Sequence, residues 1–139
     1  MEQRMTILTL RVEDLDAATR FYVDGLGWKP FLAVPGEVTF LQVAPGVALS
    51  LFDASGFDRD AGRPLPHPFN LAHNVDSEAD VDRVMGELVA AGGSVVAEPE
   101  RAEWGGYHAF VADAVGFVWE IAYNPGWSVA GDGTVSIGT

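Results

Sequence analysis

The chain opens on an alternation of apolar and polar positions. Met5-Thr-Ile-Leu-Thr-Leu-Arg-Val12 steps with the two-residue period of a strand and is rich in aliphatic and β-branched residues. The period then lengthens. Asp14 stands as an N-cap ahead of Leu15, Ala18, Tyr22 and Leu26, whose three- and four-residue steps predict one helical face, and Gly25 and Gly27 end it. The same order returns further on. Phe69-Asn-Leu-Ala-His-Asn-Val75 reads as a strand, Ser77-Glu-Ala-Asp80 has the spacing of a capping box, and Val81, Val84, Met85 and Leu88 share a helical face that Gly92-Gly93 terminates.

The closing halves of the two segments agree more closely still. Residues 39–51 and 109–121 align without a gap, Phe40 on Phe110 and Gly46 on Gly116, each reading as strand, glycine turn, strand. With strands at Trp28 to Val34 and Ser94 to Ala97, each copy is a βαβββ module. The expected fold is α+β: one domain, 1–139, in which two modules (about 5–52 and about 69–123) form a curved mixed sheet around a cavity with helices on the outer face. Residues 53–68, rich in Gly, Pro and Asp, read as a linker that lets the copies pair within one chain or swap with a second. The tail, 124–139, is expected to be mobile, with Trp127 its one large anchor.

Strand parity separates two faces. Leu8, Leu10 and Val12, Val47, Leu49 and Leu51, Leu71, His73 and Val75, and Trp119, Ile121 and Tyr123 form the bulky sets expected under the helices. The opposite face is small or polar: Thr9, Ser50, Asn70, Ala72, Asn74, Glu120 and Ala122. That is too polar for a core and too poor in Lys, Arg and Glu for a wet sheet, so it suits a cavity wall. Parity leaves the facing of His108 open.

Composition narrows the chemistry. Twenty acidic against eight basic residues give a net charge of −12, which disfavours nucleic acid and favours cationic ligands, besides keeping the surface solvated. With no cysteine, disulfides, thiolate metal sites and cysteine nucleophiles are excluded. No apolar run approaches the ~20 residues of a membrane span, and the start carries no signal pattern, so a cytoplasmic protein without membrane contact is expected.

The duplicated βαβββ units, Leu10-Arg-Val-Glu-Asp-Leu15 followed by Phe21-Tyr22 and Leu26-Gly27, and Asp113-Ala-Val-Gly-Phe-Val-Trp-Glu-Ile121 together resemble the vicinal oxygen chelate superfamily of glyoxalases, extradiol dioxygenases and bleomycin-resistance proteins. Enzymes of that family hold a divalent metal on four strands, and the resemblance puts those positions at Ile7, Ser50, Asn70 and Glu120, of which only Glu120 is a strong ligand. No metal or other cofactor is therefore expected. The resemblance implies a metal-independent binding protein, expected as a homodimer, that sequesters an antibiotic or another aromatic or cationic small molecule. Its expected contacts are Thr9, Ser50, Phe52, Asn70, Trp104, His108, Phe110 and Glu120. The alternative is a lyase, isomerase or oxygenase using a divalent metal or Glu120 as catalytic base.

Overall fold

In the computed structural model, which describes residues 1–138, the first alternating stretch is strand β1 (Ile7–Val12) and leads into helix α1 (Leu15–Thr19). Asp14 caps α1 by accepting from the Ala17 N–H at 2.8 Å. The helix then widens into a π-helical segment, Arg20–Gly25, in which the Leu26 N–H reaches back five residues to the Phe21 carbonyl. The widened turn corrects the expected helical face. Leu26 rotates outward, 52% exposed, and Val23 joins Leu15, Ala18 and Tyr22 against the sheet.

The module continues as β2 (Pro30–Val34), β3 (Val38–Ala44) and β4 (Val47–Asp53), then helix α2 (Ala54–Asp60). The second module supplies β5 (Phe69–Asn74), α3 (Glu78–Ala90), β6 (Ser94–Arg101), β7 (Tyr107–Ala112) and β8 (Val118–Tyr123). Ser77 caps α3 as its spacing predicts: its hydroxyl accepts from the Asp80 N–H and donates to the Asp80 carboxylate. Gly46 and Gly116 carry the matched hairpin turns in the left-handed region, at φ 70° and 102°.

All eight strands form one mixed sheet, ordered β2-β3-β4-β1-β5-β8-β7-β6. Each module pairs its first strand in parallel with its last, and the halves join where β1 runs antiparallel to β5, Thr9 opposite Asn70 and Ile7 opposite Ala72. The two copies thus pair within one chain. The bulky face packs beneath the helices, with Leu41, Leu49 and Leu51 under α1, and Ala109, Val111 and Ile121 against Val81, Val84 and Met85 of α3.

Two expectations change. The stretch from 53 to 68 begins as α2, capped by Asp53 and carried onto the opposite, concave face of the sheet. A bidentate pair holds it there: Arg11 of β1 donates to both Asp58 oxygens at 2.9 and 2.8 Å, while buried Phe57 meets Phe52 edge-on. Beyond α2, Ala61 and Leu65 cover Phe110 and Val118, closing the outer part of the second module. The tail is also built, as a hairpin of β9 (Trp127–Val129) and β10 (Val135–Ile137). Both ends of the Gln42 amide bind it, donating to the Gly133 carbonyl and accepting from the Val135 N–H, so backbone groups that composition alone would leave to water find partners.

Ile121→Ala, which empties a fully buried site under α3, is expected to cost about 2–5 kcal/mol in urea unfolding. Arg11→Ala should speed amide exchange in 54–60 while leaving the central strands protected; unchanged exchange in α2 counts against the clamp.

Candidate functional site

The concave face and α2 enclose a cavity of about 350 Å³ whose walls come from both modules. Register decides which side chains reach this face, because directly paired residues on neighbouring strands point the same way. One row runs Phe40, Ser50, Thr9, Asn70; a second runs Ile7, Ala72, Glu120, Phe110; a third pairs Asn74, Ala122 and His108. His108 therefore belongs to the concave face, a point parity had left open. A larger groove of about 680 Å³ lies between the tail hairpin and the strand ends, but it holds one carboxylate, Asp76, and no imidazole. The titratable chemistry is concentrated in the smaller cavity.

Of the residues expected to contact a ligand, Thr9, Ser50, Phe52, Asn70, Trp104 and Glu120 line the cavity. His108 is buried one step behind, between Trp104 (5.5 Å, edge-on) and Phe110 (5.1 Å). Phe110 is a correction: Ala61 and Val118 bury it in the core, so it supports His108 instead of meeting a ligand. Two further histidines are absent from the site. His73 is buried on the helix side, its Nδ1 3.1 Å from the Arg4 carbonyl, and His67 stacks on Phe117 at 4.7 Å.

The residue the sequence hid is Asp60. It sits in the stretch whose composition reads as linker, yet α2 delivers it to a cluster in which ligand atoms of Asp60, His108 and Glu120 all lie within 4.8 Å of one another. The only local signal was Asp53 two residues before Ser55, a capping pattern. Within the cluster His108 Nδ1 and Glu120 Oε1 are 2.9 Å apart. Burial pushes the Asp60 carboxyl up to about 7, reinforced by the Glu120 charge and opposed by His108 and the Trp104 indole. Burial acts against protonation of His108, but its hydrogen bond to Glu120 and the charges of Glu120, Asp60 and Glu100 outweigh that and raise it above the usual imidazole value.

Two buried oxygens in the cavity have no donor, Asn70 Oδ1 and Asn74 Oδ1. A polar atom left so costs roughly 1–3 kcal/mol, which a bound donor recovers. The four positions at which the resemblance would put a metal all line the cavity, but they offer an aliphatic side chain, a hydroxyl, an amide and one carboxylate. That donor set does not fit a catalytic divalent ion, for which about three imidazole or carboxylate ligands are usual.

Comparison with known proteins agrees with this architecture. The family model of the Glyoxalase/Bleomycin resistance protein/Dioxygenase superfamily matches residues 4–121. A solved glyoxalase-related enzyme from Fulvimarina pelagi is 37% identical, over 99% of this chain and 100% of that one, with a TM-score of 0.50. A superfamily member from Vibrio splendidus 12B01 shares 19% identity over 84% of this chain and 96% of its own (TM-score 0.57). The NAD-dependent benzaldehyde dehydrogenase from Legionella pneumophila shares 18% over the same fractions (TM-score 0.71). At such identities the last two likenesses concern the fold alone. No curated protein matches the chain. Among the described residues, no helix is long and apolar enough to cross a membrane. Duplicated modules, a concave cavity, the matching family model and the full-length relative lead to one assignment: the chain belongs to the Glyoxalase/Bleomycin resistance protein/Dioxygenase superfamily.

Proposed function

We propose that this chain is a small-molecule binding protein of the bleomycin-resistance kind, sequestering a planar aromatic molecule that bears hydrogen-bond donors or a positive charge, such as an antibiotic. The observation that carries this reading is the pair of donorless oxygens, Asn70 Oδ1 and Asn74 Oδ1, in a cavity walled by Phe40, Phe52, Phe57 and Trp104. Aromatic faces hold a flat ring, and buried acceptors select a ligand that presents N–H or O–H groups to them. Glu37 at the rim, Asp60 and Glu120 within, and the net charge of −12 favour a cation over an anion. Binding of this kind needs no metal at the family positions. The hydrogen-bonded His108–Glu120 pair favours a second reading, in which Glu120 abstracts a proton beside a carbonyl in a lyase or isomerase reaction.

A thermal-shift screen of planar aromatic amines, run in chelator, tests the first reading. A ligand at 100 times its Kd adds about 2.7 kcal/mol of stability. Asn70→Ala is expected to remove most of the resulting shift; a screen without hits, or a shift indifferent to both Asn70→Ala and Glu120→Gln, would defeat it. Turnover of a carbonyl substrate, abolished by Glu120→Gln, would instead support the second.

The cluster also makes stability depend on pH. Asp60 titrates near 7 folded and near the ordinary carboxylate value of about 3.9 unfolded, so the folded state holds the extra proton between them and loses stability as pH rises through that window. The raised His108 acts in the same direction, its contribution present below about 6.5 and lost as pH rises through its folded value. The unfolding free energy of chelated protein, measured by urea denaturation, should fall from about pH 5 to about pH 8 by an amount on the order of a few kcal/mol. Asp60→Asn should flatten that fall; a profile that rises across the window contradicts the charge assignment.

A further inference from the structure

We infer that Asp60, His108 and Glu120 form a binding site for a divalent transition-metal ion, displaced from the family positions and completed by the helix between the modules. The inference goes beyond the organic-ligand reading and does not depend on it.

Three observations on the geometry carry it. The ligand atoms come from three separate elements, α2, β7 and β8, and converge within 4.8 Å of one another. That spacing lets one ion about 2.0–2.2 Å from each ligand atom bridge them after small side-chain rotations. The cluster is also deliberately supported. His108 is 2% exposed and wedged between Trp104 and Phe110, while Gly106 leaves room for the Trp104 ring, where a Cβ would collide with it. Asp60 depends on the Arg11–Asp58 clamp that holds α2 on the concave face.

The third observation is independent of the cluster. Asn70 Oδ1, in a side chain 4% exposed, faces the same cavity without a donor, and Asn70 lies two residues before Ala72, the strand partner of Glu120. A cation satisfies such an oxygen, as it satisfies two carboxylates confined beside one another. Asp60 and Glu120 line the cavity, so an ion bound between them keeps an open position toward it. One imidazole with two carboxylates suits Mn, Fe(II), Co, Ni or Zn better than Ca or Mg, which prefer all-oxygen shells, or Cu(I), which prefers sulfur.

The test is titration of chelator-stripped full-length protein with Co(II) and Zn(II), followed by calorimetry, by the visible spectrum of bound Co(II) and by melting temperature. One ion per chain is expected, with a Co(II) spectrum from nitrogen and oxygen ligands and a rise in melting temperature. Asp60→Asn and His108→Gln should each weaken binding by roughly 10- to 100-fold or more, since even outer-shell partners cost that much. Asp132→Asn, on the outer surface, should leave binding unchanged. Should His108→Gln fail to fold, Asp60→Asn decides: the metal-free variant should melt cooperatively, and the metal-induced rise in its melting temperature should be much reduced at the same ion concentration. The proposal is overturned if no stoichiometric binding is found, or if the bound ion is lost equally with Asp132→Asn, as a diffuse acidic surface would require. Because the aromatic-amine screen runs in chelator, its result stands whichever way the metal titration falls.

Discussion

The pairing of β1 with β5 is the constraint on which the remainder of the molecule rests. Side chains alternate with a period of two, so placing Thr9 opposite Asn70 decides at once that Ile7, Ser50, Ala72 and Glu120 share the concave face and that Leu8, Leu10 and Leu71 go beneath the helices. A slip of one residue would put the leucines in the cavity and the buried asparagines among aliphatic side chains. The apolar clusters under α1 and α3 penalise that slip in both modules together.

Duplication makes a symmetric sheet, and segments outside the two modules break that symmetry. The connection between the modules does this. It covers the outer strands of the second module with Ala61 and Leu65, and places Phe57 and Asp60 over the centre. The tail hairpin adds Ile137 and Gly138 to the wall from the other side. What remains open is a cavity with aromatic sides and an acidic end, lined by residues of both modules. The Arg11–Asp58 pair links the two levels, since a residue on the first strand holds the helix that presents Asp60.

Electrostatics at the acidic end follow from confinement. Two carboxylates and an imidazole in a space of this size cannot all adopt their charge states in water without cost, so protons redistribute: Asp60 holds its proton more tightly and so does His108. Such a site gains from any bound positive charge, whether proton, organic cation or metal. Trp104 and Phe110 limit the solvent that would otherwise screen it.

The repeat, the strand and helix order and the division into bulky and polar faces were legible in the sequence because they rest on local periodicity, which each segment carries by itself. The same logic placed Glu120, Asn70, Ser50 and Thr9 on one face. It went astray where local pattern does not decide: a π-helical turn moved Leu26 outward, and Gly- and Asp-rich stretches folded because Arg11, Phe52 and Gln42 offered them partners far along the chain. His108 and Asp60 show the division most plainly. Both are visible as residue types, but their meeting with Glu120 depends on strand register and on a helix docked from the connection between the modules, and contacts between distant segments leave no periodic trace in the sequence.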